Sequence, residues 1–132
     1  LNILIVDHNV SNREALRSQL THWGAAVTLV GNAEDAMEIC ISSQDENKFD
    51  FIFIEKGLPT TGGIELGEKL NKDTRFQNIK LILMTSVSGY GNAKHFSKHG
   101  FSAWFPKPAT REDIFEALSV ISNGAERNIE RN

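Results

Sequence analysis

The chain has 132 residues, the length of one domain, and a domain of this size buries a core without needing a disulfide or a metal. Hydrophobic residues make up 40% and charged residues 23%, which excludes a disordered chain, and no apolar run approaches the roughly 20 residues of a membrane helix. With 14 Lys+Arg against 17 Asp+Glu, a net charge of −3 and one cysteine, the sequence excludes a concentrated basic surface for nucleic acid, an intrachain disulfide and a thiolate zinc site.

In chain order, Leu1 leads straight into the apolar run Ile3-Leu4-Ile5-Val6, so no signal peptide is expected and a cytoplasmic domain is. The missing initiator methionine reads as a segment of a longer protein. A helix follows, with Ser11 and Glu14 as a capping box, a stripe of Leu16, Leu20 and Trp23, and Gly24 as its stop. Val27-Thr28-Leu29-Val30 is the second run. Asn32 opens a second helix whose inner face is Ala33, Ala36, Met37, Cys40 and Ile41. Cys40 on that face reads as a small core residue.

Phe51-Ile52-Phe53-Ile54 and Leu81-Ile82-Leu83-Met84 are the third and fourth runs, with a helix carrying Ile64, Leu66 and Leu70 between them. Residues 89–99 have poor propensity and hold only a weak fourth helix, on which His95 and His99 are expected to face solvent. Phe101-Ser102-Ala103-Trp104-Phe105 is a weaker run, expected at a sheet edge. Thr110 and Asp113 cap a last helix with Ile114, Ala117, Leu118 and Ile121 inward. Residues 1–122 thus form one domain, and the polar residues 123–132 read as a tail or linker.

Near-continuous apolar runs mark strands covered on both faces, and their alternation with helices predicts an α/β fold: five parallel strands with helices on both sides. Ligands of such sheets bind beyond the carboxyl ends of the strands. The residues found there are Asp7, His8 and Asn9 after the first strand and Glu55 to Pro59 after the third. Thr85 and Ser86 follow the fourth, and Pro106, Lys107 and Pro108 the fifth. Two acids, a hydroxyl and a lysine would then share one rim, with oxygen ligands for a hard cation and a lysine to neutralise an anion.

On these residues the chain resembles receiver domains of two-component signalling. The matching segments are Ile3-Leu4-Ile5-Val6-Asp7-His8-Asn9, the Leu58-Pro59 turn with Gly62-Gly63, Leu83-Met84-Thr85-Ser86 and Phe105-Pro106-Lys107-Pro108. Val10-Ser11-Asn12-Arg13 and the Trp23-Gly24 helix end are most similar to receivers of hybrid sensor histidine kinases. The resemblance implies a flavodoxin-like (βα)5 fold and a signalling partner, either a histidine kinase or another domain of the same chain. It implies no nucleic-acid or membrane contact. It also implies a switch aromatic at Trp104 and a cis Lys107–Pro108 peptide.

Two residues depart from the family pattern. Glu55 stands where the family carries the phosphoaccepting aspartate, and His8 where it carries a second Mg²⁺-binding acid. Glutamate moves the carboxylate outward by about 1.5 Å, one carbon–carbon bond, and misplacement on the order of 1 Å costs ~100-fold in rate. Imidazole removes a charge and an oxygen ligand that Mg²⁺ prefers. The expectation is therefore a non-phosphorylatable receiver with Mg²⁺ binding weak or lost, no enzyme, whose degenerate site is Glu55, Asp7, His8, Thr85 and Lys107. His8 is expected to be a plain exposed turn residue, although a softer metal held by His8, Asp7 and Glu55 is an alternative without an evident designed ligand set. Glu55 is expected to pair with Lys107, or to imitate a phosphorylated residue by reaching toward Thr85 and Lys107. The alternative functions are a phosphoacceptor using an unconventional residue and, more distantly, a flavodoxin-like cofactor binder, which lacks a phosphate loop after the first strand.

Overall fold

The computed structural model describes residues 1–43, 49–86, 93–107 and 109–122. Residues 123–132, Pro108 with its peptide bond, and the start of the expected fourth helix lie outside the described residues. Five strands, β1 (Asn2–Val6), β2 (Ala26–Val30), β3 (Phe51–Glu55), β4 (Lys80–Thr85) and β5 (Phe101–Pro106), alternate with five helices. These are α1 (Val10–His22), α2 (Ala33–Ser42), α3 (Gly63–Lys72), α4 (Ala93–Lys98) and α5 (Arg111–Ser122), with a 3₁₀ turn at Thr74–Phe76. The strands form one parallel sheet in the order β2-β1-β3-β4-β5. None of the described helices is long and apolar enough to cross a membrane.

Strand periodicity divides each apolar run between two cores. Leu4, Val6, Ile52, Ile54, Leu81 and Leu83 face α2, α3 and α4 through Ala36, Cys40, Leu66, Leu70 and Phe96. Ile3, Ile5, Phe51, Phe53, Ile82 and Met84 face α1 and α5 through Leu16, Leu20, Ile114 and Ala117. This is why the central runs show no polar alternation. The edges differ from expectation in burial. β5 has the weaker pattern but is buried from Phe101 to Phe105, because helices cover both of its faces, whereas Ala26 of β2 is exposed.

Several local expectations are corrected. Helix α1 is capped by Asn9, whose side chain accepts the Asn12 N–H at 2.9 Å, so it starts before the Ser11/Glu14 pair. Glu14 instead binds Arg17 one turn on. Trp23 caps the end of α1 at the surface, edge-on to Phe115 with ring centroids 6.1 Å apart. Ile41 is exposed, the stripe of α2 having rotated past it by the last turn. His99 does not face open solvent, because its Nδ1 pairs with Glu68 of α3. The reciprocal Thr110–Asp113 cap of α5 forms at 3.0 and 3.1 Å, and buried Cys40 has its thiol pushed up to about 11 by desolvation.

Candidate functional site

Between β1 and β3 the strand order reverses, because β2 lies on one side of β1 and the remaining strands on the other. That point is where open α/β sheets bind ligands. Register places the site residues there: Val6 pairs with Ile54, so Asp7 leaves β1 level with Glu55 at the end of β3. The ladder continues into the loops, with Asp7 N–H donating to Val30 O at 3.1 Å and Lys107 N–H to Thr85 O at 2.7 Å. These bonds fix where the side chains start.

Asp7 is fully buried and heavily bonded. Its Oδ1 accepts the Asn9 N–H at 2.8 Å, and its Oδ2 accepts from the Asn12 amide and from Lys107 Nζ at 3.4 Å. Arg13 Nη1 donates to the Asp7 carbonyl at 3.0 Å. Asn12 and Arg13 were not picked out as site residues from sequence, and Asn9 only by its place after the first strand. Their signal was the Asn9 cap: starting α1 there winds Asn12 and Arg13 back over the end of β1.

Glu55 is also buried, and both its oxygens are taken. Oε1 accepts the His8 backbone N–H at 2.9 Å and lies 2.6 Å from His8 Nδ1, and Oε2 accepts from Lys107 Nζ at 3.0 Å. Burial works to raise this carboxyl, but the backbone and ring hydrogen bonds of His8 and the bond and charge of Lys107 outweigh it. The result is a value pulled down to about 2. His8 is the exposed turn residue expected, but it is tied to Glu55 by both its backbone and its ring. Its side chain is half exposed, and the hydrogen bond from its backbone N–H brings the ring onto the same Glu55 oxygen.

Lys107 reaches both acids from the end of β5. Thr85 is buried at the end of β4, and its hydroxyl donates to Ser86 O at 2.9 Å. Among the described residues no hydrogen bond joins Thr85 to Glu55, whereas Lys107 bonds Glu55 directly. Trp104 is 2% exposed and packs edge-on against Phe96 of α4 at 5.7 Å, its Nε1–H without a partner among the described residues. It is an inward aromatic rather than an exposed one. Glycine is essential nearby: a Cβ at Gly63 would stand 2.1 Å from the Glu55 carbonyl oxygen, so only glycine lets α3 start against the end of β3.

The resemblance to receivers implies Mg²⁺ at this rim, an ion that takes oxygen ligands, and one of the three donors here is a nitrogen. Asp7 and Glu55 supply oxygens, but an imidazole nitrogen occupies the third place and Lys107 already bridges both carboxylates. Mg²⁺ demands near-octahedral oxygen coordination and gains little from a nitrogen ligand.

Comparison with known proteins agrees with the geometry. The family described as "Response regulator receiver domain" matches residues 3–119. The chain is similar to Chemotaxis protein CheY1 of Helicobacter pylori, with 24% identity over 92% of this chain and 96% of that protein. It is 30% identical to Sensor histidine kinase AtsR of Burkholderia thailandensis over 82% of this chain, a stretch that makes up 17% of AtsR. Among solved structures, a response regulator receiver domain protein from Clostridium thermocellum superposes with a TM-score of 0.82 at 20% identity, covering 93% of this chain and 94% of that one. With its sheet order, its rim of Asp7, Thr85 and Lys107 and a family match across nearly its whole described length, this chain belongs to the response regulator receiver domains of two-component signalling.

Proposed function

We propose that this receiver domain does not accept phosphate and works as a regulatory protein-interaction module in phosphorelay signalling. The observation that carries the reading is the occupied state of Glu55: Oε1 is held twice by His8 and Oε2 by Lys107. Phosphoryl transfer to a carboxylate needs an oxygen lone pair in line with the donor and a metal bridging acceptor and phosphoryl group. Here Oε1 has both lone pairs committed and Oε2 one, the carboxyl is weakly basic at about 2, and an imidazole stands where Mg²⁺ needs an oxygen. A pair fixed at this rim replaces the switch with a permanent state.

The partner is a histidine kinase or another domain of the same chain. The stretch of AtsR that this chain resembles is a small part of a sensor histidine kinase, which supports a receiver embedded in such a protein. Incubation with acetyl phosphate and Mg²⁺, read by intact mass, is expected to leave the chain unlabelled. A stable phosphoryl adduct mapped to Glu55 would establish instead a phosphoacceptor using an unconventional residue.

A further inference from the structure

The disagreement with Mg²⁺ has a positive side. One ligand atom each from Asp7, His8 and Glu55 lies within 4.8 Å of the others, and both acids are buried while the histidine is exposed. We propose that this triad binds a divalent transition ion of the zinc class, with His8 selecting it over Mg²⁺. Imidazole nitrogen and carboxylate oxygen together suit zinc, cobalt and nickel, at about 2.0–2.2 Å from zinc.

Geometry supports the placement. His8 Nδ1 and Glu55 Oε1 are 2.6 Å apart, and cis ligands on such an ion stand roughly 3.0–3.4 Å apart, so a small ring movement spaces this pair for the ion, with the Asp7 ligand atom within 4.8 Å of both. His8 is free to make that movement, since its side chain is half exposed. The outer contacts remain in place. Lys107 holds Glu55 through Oε2, the oxygen turned away from His8, and Asn9 and Asn12 hold the Asp7 carboxylate. Contacts of this kind fix ligand orientation in metal sites. Two buried carboxylates supply negative charge for a divalent ion beside Lys107. The exposed side leaves room for water to complete the coordination.

The inference is independent of whether Glu55 accepts phosphate, so the labelling experiment and the metal titration fail separately. Calorimetric titration with Zn²⁺ is expected to show one site per chain, filled at concentrations at least tenfold lower than Mg²⁺ requires. Co²⁺ bound there is expected to give a visible absorption spectrum with nitrogen ligation. His8→Ala and Glu55→Gln should each weaken Zn²⁺ binding tenfold or more, with His8→Ala retaining the circular dichroism of the parent. His95→Ala tests the other histidine pair, His95 and His99, whose rings meet edge-on with centroids 4.5 Å apart, and should leave binding unchanged. Zn²⁺ binding that survives His8→Ala, disappears with His95→Ala, or is no tighter than Mg²⁺ would overturn the assignment.

Discussion

Glu55 carries its carboxylate one methylene beyond the end of β3, and that methylene sets its neighbours. Reaching past the position of an aspartate, it meets the His8 peptide and ring on one side and Lys107 on the other. Its folded value of about 2 lies below the ordinary 4.5. A carboxyl depressed in the folded state stabilises the fold above its unfolded value and loses that contribution as pH falls through the folded one. The window is therefore pH 4.5 down to 2. Because His8 is half exposed, solvent screening discounts the full shift, and the contribution is about 1–2 kcal/mol. Urea unfolding of the parent should lose this amount across the window, while Glu55→Gln, less stable at pH 7, should show a flatter profile. Equal slopes would mean that His8 and Lys107 do not hold the carboxylate. The position of Glu55 was legible in sequence because it follows an apolar run; the His8 ring contact was not, since it depends on a rotamer set by a backbone N–H bond to a carboxylate on another strand.

Helices and strands show where local patterns compete. Two caps were available to α1, and the structure uses Asn9 rather than Ser11 because the earlier start lets Asn12 and Arg13 close over Asp7. Sequence periodicity gave no means of choosing between them. The short α4 is anchored by Phe96, fully buried against Trp104 of β5. Trp104→Ala should cost about 3–5 kcal/mol, the range for emptying a large aromatic site. Trp104→Phe should cost much less, because it keeps the edge-on ring contact and removes an Nε1–H that has no partner among the described residues. Urea denaturation of both variants checks the order. Comparable losses would mean that the indole N–H is satisfied after all. Burial of β5 was the least legible feature of the sheet, since the sequence shows its weak apolar run but not the two helices that cover it.

Across the whole molecule, the sheet order brings residues from β1, β3, β4 and β5 to a single rim, so a change at one strand end is felt by the others. The order of the strands across the sheet was only implied by the resemblance to receivers, but alternating strands and helices made the parallel sheet readable, and with it which residues would meet at the rim. What they do on meeting depends on two side chains, His8 and Glu55. Restoring the family acids, His8→Asp with Glu55→Asp, should therefore recover Mg²⁺ binding more readily than phosphotransfer. Removing the imidazole and withdrawing the carboxylate by about 1.5 Å frees two oxygens for the ion beside Asp7, and a hard cation needs little else from the protein. Phosphotransfer needs more: an in-line donor, a Thr85 hydroxyl released from the Ser86 carbonyl, and room around Trp104, which is already packed inward on Phe96. Those requirements reside on β4, β5 and α4, which the double change does not touch. Calorimetry on the double variant should show Mg²⁺ binding at least tenfold tighter than the parent and Zn²⁺ binding at least tenfold weaker, while acetyl phosphate labels it slowly. Efficient labelling without a gain in Mg²⁺ affinity would mean that the obstacle was the reach of Glu55 alone, and that His8 contributes nothing to the metal chemistry of the rim.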